Sequence, residues 1–151
     1  MRQHTIDLFA DSTFSGHHVY NNTSILIEGR FYVDDSLTLN NCMVYVNPAG
    51  QITILTSGTM ITNNTTMQSC DTMWQRYYGE RNSRLLVLNN SFIRDANTAI
   101  TALNNSVITV DSSSIFDCVR EGFIMPPSPR AFPEYHRKFQ SFGGFHDNAF
   151  F

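Results

Sequence analysis

Two aspartates, Asp95 and Asp117, are the residues whose type and spacing most directly suggest chemistry. They lie 22 residues apart, at matching places in two similar segments. If those segments stack as neighbouring strands, the carboxylates lie about 4.8 Å apart, close to the roughly 5 Å between the carboxyl groups of retaining glycosidases. Such a pair also suits Ca²⁺, which binds several oxygen ligands. We favour the simplest interpretation, in which each Asp accepts a hydrogen bond from a backbone N–H of its own turn.

Two arginines accompany the aspartates: Arg94 directly precedes Asp95, and Arg120 closely follows Asp117. A polysaccharide lyase needs a basic group beside acidic metal ligands in order to remove a proton α to a carboxylate. The simpler interpretation, and the one we favour, is a surface ion pair that contributes under about 1 kcal/mol.

The only Trp of the chain lies close to two tyrosines, at Trp74, Tyr77 and Tyr78. Their rings either stack on the apolar faces of sugar rings or fill the core of an irregular turn. We favour the core. The sequence predicts no catalytic residue and no resident metal, and Ca²⁺ is the alternative cofactor. The candidate ligand-binding residues are Trp74, Tyr77, Tyr78, Arg94, Asp95, Asp117 and Arg120.

The segments that carry the aspartates belong to a repeat. Residues 86–96 superimpose on residues 108–118 at an offset of 22, which matches Ile93 with Ile115 and Asp95 with Asp117. A looser copy spans Leu37 to Val44. A repeat of this period predicts a solenoid, in which each unit buries its apolar face only against its neighbours.

Short strands are the elements that this repeat is built from. From Ser24 onwards, apolar and polar residues alternate in runs of three to five, bounded by Gly, Asn, Asp or Pro. Hairpins would show Asn-Gly or Asp-Gly turns, and the sequence has neither. We therefore predict an all-β fold: a parallel β-helix of a few coils over residues 24–125. Residues 1–23 form an irregular segment before it, and residues 126–151 form a Pro break with a Phe-rich cap or truncated further coil.

The composition and charge of the chain narrow the classes of partner to consider. The net charge is −3, the pI is near 5.9, and no basic patch is evident, so nucleic acid is a poor candidate. No apolar run approaches the roughly 20 residues of a membrane helix, and residues 1–20 lack the pattern of a signal peptide. We expect the three cysteines, Cys42, Cys70 and Cys118, to act as buried small residues, with a disulfide between stacked coils as the alternative.

The stretch from Leu37 to Phe123 resembles the right-handed parallel β-helix of large secreted surface proteins, typified by those of Bacteroidetes. The fold they share is pectate-lyase-like, and it also occurs in polygalacturonases, phage tailspikes and adhesins. The resemblance implies this fold and a secreted or cell-surface location, but no single activity. The resemblance rests on Cys70-Asp-Thr-Met-Trp74, the run from Leu86 to Ala96, Thr98-Ala-Ile100 and Ser114-Ile-Phe-Asp117.

These observations support three functional expectations. The first is a non-catalytic structural or binding module of a secreted or cell-surface protein, with polysaccharide as its ligand. The second is a fragment of a polysaccharide-active enzyme, either a pectate-lyase-like lyase or a glycoside hydrolase. The third is an adhesin or spike segment that self-associates through its coil ends, because open coil ends expose strand edges.

Overall fold

The computed structural model describes residues 4–8, 12–111, 115–117, 121–124 and 145–146. All the regular secondary structure in these residues is β-strand. The strands are β1 (His4–Leu8), β2 (Ser12–Phe14), β3 (His17–Asn21), β4 (Thr23–Ile27), β5 (Arg30–Val33), β6 (Ser36–Asn40), β7 (Met43–Val46), β8 (Gln51–Ile54), β9 (Thr59–Asn63), β10 (Thr66–Ser69), β11 (Trp74–Gly79), β12 (Arg84–Leu88), β13 (Phe92–Arg94), β14 (Ala96–Ala102), β15 (Val107–Val110), β16 (Ile115–Asp117), β17 (Glu121–Ile124) and β18 (Phe145–His146).

From β1 to β17 every third strand joins the same sheet, and neighbouring strands run parallel. Sheet A has the order β1-β4-β7-β10-β13-β16-β18, sheet B the order β2-β5-β8-β11-β14-β17, and sheet C the order β3-β6-β9-β12-β15. Each coil thus contributes one strand to each of three sides. The chain is a parallel β-solenoid, with four complete coils in the uninterrupted stretch from β4 to β15.

The core lies between the three sheets and is built from alternate residues of each strand. On β7, Val44 and Val46 are buried, whereas Met43 and Tyr45 point outwards and are half-buried. Because side chains alternate between the two faces of a strand, this pattern fixes which face is inside. Parallel pairing then places equivalent residues of successive strands above one another in a column, which we call a file. One interior file contains Phe31, Ile52, Tyr77 and Ile100.

Asparagine forms the corner between sheet C and sheet A in successive coils. Asn22, Asn41, Asn64 and Asn89 all have positive φ, between 47° and 54°. Asn adopts this left-handed conformation more readily than other residues with a Cβ. Asn22, Asn41 and Asn64 are followed by Thr23, Cys42 and Thr65, respectively, and all three of these following residues are buried.

Hydrogen bonds tie these corners together from coil to coil. Outside, the amide of Asn40 donates to Asn21 (2.9 Å), that of Asn63 to Asn40 (3.2 Å), and that of Asn89 to Asn63 (2.7 Å). Inside, the hydroxyl of Thr65 accepts a hydrogen bond from the backbone N–H of Cys42. Cys42 is therefore the buried small residue that its position predicted, and it is a free thiol. For Cys70 the prediction is wrong, because this free thiol is exposed.

The predicted 22-residue register is wrong by one residue. β13 pairs with β16 through Ile93 and Phe116, an offset of 23, and Arg94 rather than Asp95 is opposite Asp117. β12 pairs with β15 at the same offset, which places buried Val87 opposite buried Val110. The alternation of buried residues sets the register, whereas the 22-residue match followed the Ser and Asp residues of the corners.

The two ends also differ from the prediction in part. Residues 1–23 were expected to be irregular, but β1, β2 and β3 lie in this range and extend sheets A, B and C. At the other end β18 pairs with β16, so Phe145 and His146 continue sheet A. The rest of 126–151 lies outside the described residues, so the cap stays a prediction. The right-handedness of the coil also stays a prediction.

Candidate functional site

Two of the three candidate aromatic residues lie in the core. Trp74 and Tyr77 on β11 are each 0% exposed, and their rings meet edge to face with centroids 5.4 Å apart. The indole N–H of Trp74 donates to the backbone oxygen of Arg94 (2.9 Å), and the Tyr77 hydroxyl donates to the sulfur of Met67. Rings without exposed surface cannot stack on a sugar, so for these two the core interpretation is correct.

The aspartates do not form a stacked pair. Asp117 on β16 is opposite Arg94 on β13, so residues of opposite charge take matching positions in neighbouring strands. Asp95 forms the corner between β13 and β14 with φ of 59°, and its backbone oxygen accepts a hydrogen bond from the backbone N–H of Trp74. Its carboxylate makes no hydrogen bond in the described part of the chain, so Asp95 supports the turn through its conformation and not through the side-chain bond we expected.

Arg120 lies outside the described residues. Among the residues that the structure does describe, no group of three or more His, Cys, Asp or Glu side chains could hold a metal ion.

Tyr78 is the described candidate aromatic that faces outwards, and it belongs to a surface that sequence reasoning missed. On sheet B, Tyr32, Thr53 and Tyr78 are opposite one another on β5, β8 and β11. Both tyrosines are half-buried, and Thr53 between them is only 4% exposed although it points outwards. The two rings thus lie two strand spacings apart, about 10 Å, with a small side chain between them.

A second file beside the tyrosines carries two guanidinium groups. Arg30, Gln51 and Arg76 are opposite one another on the same three strands, with Arg30 exposed. The Nε of Arg76 donates to the side-chain oxygen of Gln51 (3.3 Å), and the amide nitrogen of Gln51 donates to the Thr53 hydroxyl (3.0 Å). These bonds link the two files and orient the Arg76 side chain. We call the surface formed by Arg30, Tyr32, Gln51, Thr53, Arg76 and Tyr78 the Tyr–Arg face.

A β-bulge borders this face. The pairing of β11 with β14 shifts between Arg76 and Tyr77, so that Arg76 is opposite Thr98 and Tyr77 is opposite Ile100. The additional residue is Ala99, which is buried. Bulges are over-represented next to functional sites because they redirect side chains. Here the shift occurs between the position of Arg76 and that of Tyr78.

The Tyr–Arg face combines aromatic rings with guanidinium groups. Aromatic rings present an apolar surface with a hydroxyl at the edge, and the planar guanidinium groups match carboxylate or sulfate oxygens. Period-two alternation within β5 and β8 could have indicated Arg30, Tyr32, Gln51 and Thr53 as outward residues. To predict that these residues lie together on one face, the length of each coil must also be known. These lengths vary: the offset is 21 residues between Arg30 and Gln51 and 25 between Gln51 and Arg76.

Fold and face together define a parallel β-solenoid with a candidate binding surface on one sheet. No protein family profile matches the chain, and the searches of curated proteins and of solved structures return no similar protein. In the described residues no helix has the length and apolar character needed to cross a membrane.

Proposed function

We propose that this chain is a non-catalytic binding module that contacts a polysaccharide through the Tyr–Arg face. The observation that carries the proposal is the pairing register of β5, β8 and β11, which aligns two tyrosines in one file and two arginines in the next. The proposal includes a right-handed, pectate-lyase-like coil in a secreted or cell-surface protein. That part rests on the resemblance of residues 37–123.

The direction of the two files supports a polymeric ligand. Both files cross the strands, so a ligand that contacts Tyr32 and Tyr78 together extends along the axis of the solenoid. The rings are separated by about 10 Å, or two strand spacings, which requires a ligand of more than one ring. A linear glycan meets this requirement because it presents ring after ring along one direction.

The arginines favour acidic sugars. Arg30 and Arg76 flank the uncharged Gln51 in their file, so the face has positive charge although the whole chain has a net charge of −3. Charge-assisted hydrogen bonds from guanidinium to carboxylate are among the stronger polar contacts. Binding to an acidic polysaccharide should therefore weaken as salt is added, because salt screens exposed charges.

The test is binding to polygalacturonate, alginate and a neutral glucan, measured by affinity electrophoresis and calorimetry. We expect Tyr78→Ala and Tyr32→Ala to weaken binding on the order of tenfold each, equivalent to about 1.4 kcal/mol. The matched control is Tyr45→Ala, because Tyr45 is also an outward, half-buried tyrosine, but on sheet A. Arg76→Ala should weaken binding to the two acidic polymers and leave binding to the glucan unchanged.

Three results would contradict the proposal. Equal losses in Tyr45→Ala and Tyr78→Ala would remove the Tyr–Arg face as the site. Release of unsaturated sugars, detected by ultraviolet absorbance, would favour the enzyme fragment instead. Tighter binding of a single-stranded oligonucleotide than of any glycan would identify the face as a nucleic-acid site, since aromatic rings and arginines also suit that ligand.

A further inference from the structure

Among the described residues, the first coil of the solenoid ends in strand edges that have a partner on one side only. In the described residues β2 pairs with β5 and β3 pairs with β6, and both are the last strands of their sheets. In a parallel strand, alternate residues direct their backbone N–H and C=O groups to opposite sides. In the part of the chain that the structure describes, the groups of β3 that point away from β6 have no strand to pair with.

The core at this end finishes in a layer of aromatic residues. Phe14, His18 and Tyr20 occupy interior positions but are half-buried, whereas their partners on the next coil, Val33, Leu37 and Leu39, are at most 2% exposed. The Phe14 ring meets His18 at 4.9 Å and Tyr20 at 6.0 Å, measured between centroids. Half-buried rings above a closed core are apolar surface that a further layer would cover.

The sequences of β2 and β3 lack the features that protect strand edges. Natural edge strands carry Lys or other charges, Pro, or a bulge that prevents pairing. β2 reads Ser-Thr-Phe and β3 reads His-His-Val-Tyr-Asn, with no Lys, Arg, Asp, Glu or Pro. β1, by contrast, contains Asp7. Val19 at the centre of β3 is 46% exposed, a large value for an apolar residue.

We propose that two copies of this chain associate end to end through β3, in a twofold-symmetric arrangement with the two β3 strands antiparallel. A twofold axis places the same surface on both partners, so each edge must complement itself. β3 does so, because its backbone donors and acceptors match those of an antiparallel copy and it contains no Lys, Arg, Asp or Glu to repel its equivalent.

A register centred on Val19 makes the proposal specific. Val19 is then opposite Val19 of the second copy, and His18 is opposite Tyr20. The exposed valines cover each other on the outer face, while the half-buried aromatic layers meet on the inner face. Directly opposite residues of an antiparallel pair have Cβ atoms about 5 Å apart, close enough for a disulfide between two cysteines at position 19 after slight adjustment.

The first experiment is sedimentation of the full chain over a range of concentrations. We expect a concentration-dependent dimer for the wild type, and for Val19→Lys an association constant at least tenfold lower. The control is Thr38→Lys, because Thr38 is opposite Val19 on β6 and also points outwards, but lies on a strand that is paired on both sides. Circular dichroism should show the same fold for all three proteins.

The second experiment is oxidative cross-linking in a Cys70→Ser background, which removes an exposed thiol. Val19→Cys should give a covalent dimer on a non-reducing gel, and Thr38→Cys should not. A wild type that stays monomeric at every concentration overturns the proposal. So does a dimer that Val19→Lys leaves intact, because association would then use another surface.

Discussion

Tyr77 shows at the residue scale how the fold uses a polar aromatic residue. Its ring fills the position that Phe31, Ile52 and Ile100 occupy in the other coils, and its hydroxyl finds a partner in the Met67 sulfur. Burial raises the pKa of Tyr77 well above its ordinary value of 10.0, because the interior disfavours the charged phenolate. The residue therefore links stability to alkaline pH.

We predict that Tyr77→Phe makes unfolding less sensitive to high pH. Folded Tyr77 keeps its proton above about pH 10, while the unfolded chain releases it, so rising pH favours unfolding. The wild type should lose up to about 1.4 kcal/mol of stability per pH unit through this residue, and Tyr77→Phe should lack that loss. Urea unfolding between about pH 9 and pH 11, the range around the ordinary tyrosine pKa, measures it.

Tyr78→Phe is the control for this prediction, because it removes a tyrosine hydroxyl from the outer face of the same strand. Tyr20 and Cys42 also have pKa values raised by burial, and their contributions remain in both variants. If Tyr77→Phe and Tyr78→Phe have the same dependence on pH, the linkage does not come from Tyr77.

Trp74, Tyr77 and Tyr78 also show how far the sequence predicts a site. Tyr77 and Gly79 are buried and Tyr78 is not, as strict alternation requires, but the same alternation would bury Gln75 and expose Trp74. Gln75 is exposed and Trp74 is buried. The strand is irregular at its start, and nothing in the residue types reveals this. The sequence could thus identify the cluster but not separate its core members from Tyr78.

At the scale of the element, the corners between sheets C and A decide whether successive strands stack. Asn64 has φ of 47°, and its amide donates to the side-chain oxygen of Asn41 (2.7 Å). The next residue, Thr65, is buried, and its single hydroxyl proton has two backbone acceptors within reach, the oxygens of Leu39 (3.0 Å) and Asn63 (3.1 Å). At this corner a left-handed Asn thus directly precedes a buried hydroxyl, and Asn22 with Thr23 repeats the arrangement.

We predict that Asn64→Ala is more destabilising than Asn64→Gly by about 1 kcal/mol. Both changes remove the bond to Asn41, but only Ala keeps a Cβ that the left-handed conformation strains. Chemical denaturation of the two variants measures the difference. As a control, the same pair of substitutions at Asn63 should reverse in order, because Asn63 ends strand β9 without positive φ. The same order at both positions would mean that strain at the corner does not set the difference.

Corner length is also why the register escaped prediction. Equivalent positions are 19 residues apart between β1 and β4 but 26 apart between β10 and β13. A solenoid tolerates this variation because loops extend outwards without disturbing the stacked strands. Local similarity between residues 86–96 and 108–118 therefore revealed the class of fold, but it could not fix an offset to the nearest residue.

At the scale of the whole molecule, stability comes from contacts between neighbouring coils. Each interior strand is paired on both sides and packs its buried face against the same core, as β8 does with β5 and β11. In such a linear arrangement a coil at an end has one neighbour instead of two. Opening should therefore begin at an end and proceed inwards, with the central coils opening last.

We predict that hydrogen exchange will rank the strands of sheet C by their place in the stack. At low protein concentration the amides of β3 should exchange faster than those of β9, which is paired with both β6 and β12. As the concentration rises, β3 should become protected while β9 stays unchanged, because a second copy would cover the β3 edge. Exchange at one common rate in β3 and β9 would mean instead that the coils open as a single unit, and protection of β3 that does not depend on concentration would mean that its edge is covered within one chain.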